Sequence, residues 1–136
     1  MDITEAVCLT LWWTEGTKMR KDTRWRDTFI YVVEVTNTDP EIITLFLNYL
    51  RTYLGVHNEK IKVQLQIHEG DNQDNFEKFW SEETGVPRTQ FNKTIIRPRG
   101  NKVGKSKGTC KIRVYGKSLH LMLLEKLGNL RGVVHR

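Results

Sequence analysis

Among its 136 residues the chain has only two cysteines, three prolines and four histidines. Cys8 and Cys110 sit in apolar patterns and form no C-x-x-C pair, which excludes a disulfide framework and reads both as small core residues. His57, His68, His120 and His135 are scattered without the spacing of a structural zinc site. No apolar run approaches the roughly eighteen residues of a membrane span. The start Met1-Asp2-Ile3-Thr4-Glu5 lacks the cationic and apolar regions of a secretory signal, so an intracellular protein is expected, in cytoplasm, nucleoid or organelle. Internal repeats and low-complexity tails are missing, and the Gly/Lys-rich loop at 100–108 lacks the G-x₄-G-K-[ST] spacing of a phosphate-binding P-loop.

Acidic residues are missing where they would matter most. Between Arg88 and Lys117 stand ten basic residues and no acid, whereas 69–83 carries Glu69, Asp71, Asp74, Glu77, Glu82 and Glu83 against Lys78 alone. The net charge is +6. Such segregation predicts a basic and an acidic face and a polyanionic partner. With 38% hydrophobic and 28% charged residues, the composition is that of one ordinary globular domain spanning 1–136.

What is present alternates between helical and strand periods. In 3–15, Ile3, Val7 and Leu11 recur at four-residue spacing as a core face beside a stripe of small residues, Ala6, Thr10 and Thr14. A small stripe lets a second helix approach closely, by analogy with membrane helices. Trp12 and Trp13 read as core and rim packing. Residues 17–36 give a hairpin signal turning near Lys21-Asp22-Thr23. Thr38 or Asp39 caps a helix with Pro40 at its first position, running to Leu54 and stopping at Gly55.

Residues 60–68 alternate most cleanly. Ile61, Val63, Leu65 and Ile67 face one way, while Lys60, Lys62, Gln64, Gln66 and His68 face the other. Cation, amide and imidazole are the groups that bond phosphates and base edges. An acidic helix over 72–83 burying Phe76, Phe79 and Trp80 follows. Then come a pair of strands, near 92–99 and 108–115, flanking the Gly/Lys loop, and a closing helix over 118–130 through Leu119, Met122, Leu123, Leu124 and Leu127.

One local misfit singles out a candidate site. Glu15 ends the first helix beside Gly16, where the macrodipole disfavours an acid by a few tenths of a kcal/mol up to about 1 kcal/mol. A broken local rule beside a glycine stop marks a candidate for function.

The run Leu11-Trp12-Trp13-Thr14-Glu15-Gly16, set in this element order, resembles the second half of the motif of the LAGLIDADG homing endonucleases. Thr10 and Thr14 fall on the motif's small packing positions and Glu15 on its metal-binding acid. The chain departs from the pattern at Leu9, at Trp13 (an acid in the motif), in Glu rather than Asp at 15, and at Glu34, where the family often places a polar Gln.

The resemblance implies an α+β fold with a saddle-shaped antiparallel sheet backed by helices, here carrying an extra acidic helix. It also implies a site-specific double-stranded DNA endonuclease. One motif per chain implies a homodimer through Ala6, Val7, Thr10, Leu11 and Thr14. Glu15 and Gly16 would lie at a Mg²⁺ (or other divalent cation) site, with Glu34, Arg113 and Lys111 as further catalytic candidates. DNA contacts are expected from Lys18, Arg20, Arg24, Arg26, Lys60, Lys62, Gln64, Gln66, His68, Lys93, Arg97, Arg99, Lys105 and Lys107. Strands of about ten residues would span roughly 33 Å, near one duplex turn of about 34 Å.

Two other classes fit less of the sequence. A catalytically inactive relative acting as a sequence-specific DNA-binding regulator is favoured by Trp13 and Glu34 and opposed by the retained Glu15-Gly16. A single-stranded RNA module would want exposed aromatics on the basic sheet face, where only Trp25 and Tyr115 qualify.

Overall fold

Asp2, Asp39 and Asn72 each precede a helical pattern, and each accepts a hydrogen bond from an otherwise unsatisfied first-turn amide: Glu5 N at 2.8 Å, Glu41 N at 2.9 Å and Asn75 N at 3.1 Å. The computed structural model describes residues 1–17, 20–21, 29–99 and 106–135. In chain order these form α1 (Ile3–Glu15), β1 (Gly16–Thr17), β2 (Arg20–Lys21), β3 (Phe29–Ile30), β4 (Val32–Asn37) and α2 (Pro40–Asn48). Then follow β5 (Lys62–His68), α3 (Gln73–Thr84), β6 (Ile95–Arg97), β7 (Thr109–Tyr115) and α4 (Lys117–Val134). The fold is α+β, with a five-stranded mixed sheet ordered β1-β4-β7-β5-β6 and a separate two-stranded ribbon of β2 and β3.

The expected helix to Leu54 is α-helical only to Asn48 and continues as a π-turn over Tyr49–Tyr53. Gly55 follows at φ +66°, a left-handed conformation that glycine adopts without steric cost. The closing helix extends a turn past the expected end, to Val134.

Strand alternation sorts the sheet's two faces. Val33 and Val35 of β4, Val63, Leu65 and Ile67 of β5, and Cys110, Ile112 and Val114 of β7 are buried in one cluster with residues from all four helices. Burial pushes the Cys8 thiol up to about 11 and the Cys110 thiol up to about 12, so both stay protonated and apolar in character.

Three expectations change. The core face of α1 is Cys8, Leu9 and Trp12, while Ile3 is 81% and Val7 43% exposed. This face takes the indole of Trp12, with Leu9 and Cys8, wholly out of water, and Trp12 is among the largest fully buried side chains of the described residues. The strands at 95–97 and 109–115 do not pair with each other, because β5 lies between them. Nor is the sheet wholly antiparallel: β6 runs parallel to β5, as a strand returning through a helical crossover (α3) can.

Candidate nucleic-acid interface and carboxylate site

The outer face is built by register. β7 lies between β4 and β5, so Glu34, Arg113 and Lys62 share one cross-strand row, and Thr36, Lys111 and Gln64 share the next. Thr109 pairs with Gln66, which pairs with Ile95, and His68 pairs with Arg97. Thr36, Gln64, Gln66, Ile95, Thr109 and Lys111 line a depression at the centre of this face. Lys62, Gln64, Gln66, His68 and Lys111 are half-buried around it, and Arg97 is exposed at its edge. Thr36, Ile95 and Thr109 are the members that sequence reasoning missed. Their alternation was visible, but only register places them against Gln64 and Gln66.

Arg113 and Glu34 meet as an ion pair, Arg113 Nε donating to Glu34 Oε1 at 2.6 Å, with their side chains 17% and 3% exposed. The contact offsets the buried carboxylate and so removes most of the repulsion that a free Glu34 would exert on phosphate. It also holds the guanidinium on a protein acid. Lys111 has no ion pair among the described residues.

Glu15 is exposed at the end of α1, and the chain passes directly into β1, where Gly16 pairs with Val35 and Thr17 with Glu34. The helix end is thereby tied to the strand that carries Glu34. Gly16 is required by space rather than by conformation, since its φ of −96° suits any residue. A Cβ there would overlap the Trp12 side chain and carbonyl and lie 2.8 Å from Glu34 O.

The expected separation of a basic and an acidic face is only partial. Arg88 bridges Asp74 and Glu77 at 2.9 Å each, Arg99 pairs with Asp71, and Lys107 Nζ lies 5.5 Å from the centre of the Phe76 ring. Attraction between the acidic helix and the basic segment folds these together. Burial would raise the Glu77 carboxyl, but hydrogen bonds from Gln73, Thr94 and Arg88 hold it below its ordinary value. The backbone amide of His68, then Arg99, lowers the Asp71 carboxyl likewise.

The remaining candidates are dispersed. Lys60 and Lys93 are exposed outside the strands, and Gln64 Nε2 donates to the Lys93 carbonyl at 2.9 Å. Arg20 lies in β2. Lys18, Arg24, Arg26 and Lys105 fall outside the described residues. At seven residues each, β5 and β7 span about 23 Å, shorter than the expected ten-residue strands and about two-thirds of a duplex turn.

On the opposite side of α1, Ala6, Val7, Thr10 and Leu11 line an apolar groove with Leu130 and Val134 of α4. The Thr10 hydroxyl donates to Ala6 O at 2.8 Å and the Thr14 hydroxyl to Thr10 O at 2.9 Å. Both hydroxyls are satisfied within the helix, which makes this stripe less polar than its composition suggests. Among the described residues no three His, Cys, Asp or Glu side chains converge as a chelating group. No helix of the described residues is long and apolar enough to cross a membrane. Comparison of the chain with family models, with curated proteins and with solved structures finds no match.

Proposed function

We propose that the chain is a site-specific double-stranded DNA endonuclease of the homing type, acting as a homodimer. The observation that carries the DNA-binding part is the outer sheet face. Its lysines, amides and imidazole stand in two adjoining strands, β5 and β7, with Arg97 on the next. The cations supply phosphate affinity and the amides base-edge contacts. The element order, with helices packed against the opposite face and a carboxylate-glycine pair closing α1, supports a LAGLIDADG-like fold.

The groove between α1 and α4 supports the dimer. Four of the five expected interface residues line it, and two copies related by a twofold axis would present the same stripe to each other. Such a dimer would read a pseudo-palindromic site, one half per subunit. In one chain the metal donor set is incomplete, because among the described residues the exposed Glu15 belongs to no converging group of three His, Cys, Asp or Glu side chains. Glu15 of the partner subunit and phosphate oxygens would complete the hard oxygen set that Mg²⁺ takes. The ion would supply Lewis acidity and an activated water. Around it, Lys111 would hold the phosphate's charge, while Arg113 anchors Glu34 and orders the strand beside Glu15.

The Glu34–Arg113 pair is the specific observation that favours a second reading, a DNA-binding regulator without cleavage, because it occupies the guanidinium that would otherwise steady the transition state. A plasmid-library cleavage assay with Mg²⁺ distinguishes the two. The nuclease reading expects metal-dependent cutting that falls at least a hundredfold in Glu15→Gln with duplex binding intact. Tight duplex binding without any metal-dependent nicking would establish the regulator instead.

A further inference from the structure

Resting on the duplex-binding reading, we infer that the depression at the centre of the sheet recognises A·T base pairs at two positions two steps apart. Guanine is most often read by an arginine fork on O6 and N7. Among the described residues no arginine lines this depression; Arg113, one cross-strand row away, has its Nε on Glu34. What faces outward in the depression is two amides, two hydroxyl-bearing side chains, one isoleucine and one lysine.

The amides are not equivalent. A carbonyl can only accept, so the bond between Gln64 and Lys93 O fixes the nitrogen of Gln64 inward and leaves Oε1 as the presented end. That acceptor takes an exocyclic amine, the N6 of adenine or the N4 of cytosine. The Gln66 side chain has no hydrogen bond within the described residues, so its whole amide can pair with adenine N6 and N7. Thr36, Thr109 and Ile95 line the same depression, and all three side chains carry methyl groups of the kind that meet the methyl of thymine. Lys111 is a single-point donor that suits phosphate or guanine, whereas the amides and methyls together favour adenine paired with thymine. Along a strand, Gln64 and Gln66 stand about 6.6 Å apart, close to two base steps of about 3.4 Å.

Selection of randomised duplexes by the full chain, followed by sequencing, tests this. The expected result is A·T at two positions two steps apart in each half-site. Gln66→Ala should lose the preference at one of them and weaken binding to the selected duplex roughly tenfold, and Gln66→Arg should move that position to G·C. G·C at both positions with the wild-type chain, or a preference unchanged by Gln66→Ala, overturns the inference and leaves duplex binding standing. Enrichment of no duplex overturns the duplex-binding reading itself, and this inference with it.

Discussion

Gly16 and Gly128 carry opposite costs for the same substitution. At Gly16 an added methyl meets Trp12 and the Glu34 carbonyl, and overpacking of that kind costs about 1–3 kcal/mol. At Gly128, inside α4, a methyl meets nothing within 4 Å and restricts the unfolded chain, worth about 0.5–1 kcal/mol of added stability. Urea unfolding of Gly16→Ala and Gly128→Ala should therefore shift the midpoint down and up respectively. A neutral Gly16→Ala would mean that α1 does not close against β4 as described. The significance of Gly16 was legible in the sequence as a helix stop beside an acid, but its reason was not. Neither Trp12 nor Glu34 could be placed over it without the fold. The Glu34–Arg113 pair was hidden in the same way, since 79 positions separate its members and only β-sheet register joins them.

At the scale of elements, what could be read depended on how one-sided the pattern was. β5 alternates without exception, and both its faces came out as expected. α1 is apolar on most of its circumference, so periodicity could not choose between the Ile3/Val7/Leu11 stripe and the Cys8/Leu9/Trp12 face. The place of β5 between β6 and β7 is a matter of chain crossover, which side-chain period does not encode. α3 and the turn before it are where charge pattern and fold diverge most, because Asp74 and Glu77 of the helix hold Arg88 and Asp71 of the turn holds Arg99, rather than forming a separate face. Glu77 has a folded-state pKa below its unfolded one, so its stabilisation is complete above the ordinary carboxylate range and is lost as pH falls through the lower folded value. The stability difference between wild type and Glu77→Gln should thus be largest near neutral pH and shrink below about pH 4. A difference independent of pH would show that the Arg88, Gln73 and Thr94 contacts do not act on the ionised form.

For α1 the exposed stripe makes a separate claim. Val7 is 43% exposed in the single chain and lines the groove, so Val7→Glu should leave the circular dichroism of the fold unchanged. In sedimentation it should turn a dimer into a monomer, because the twofold axis would bring two buried charges together. A wild-type chain that is monomeric with and without duplex would remove the dimer, and with it the two-carboxylate metal site.

Across the whole molecule, the basic balance of the sequence becomes a located surface only when the sheet is assembled. Three arginines of the basic stretch are paired with acids, and Lys62, Lys111 and Arg97 on the outer face form no ion pair among the described residues. Duplex affinity should accordingly come from this face. The most direct test is the salt dependence of duplex binding for wild type and for the double variant Lys62→Ala/Arg97→Ala. Each lost phosphate contact lowers the slope of log K against log salt by about 1, so the double variant should bind more weakly with a slope reduced by about 2. An affinity and slope equal to wild type would show that DNA does not lie on the outer sheet face.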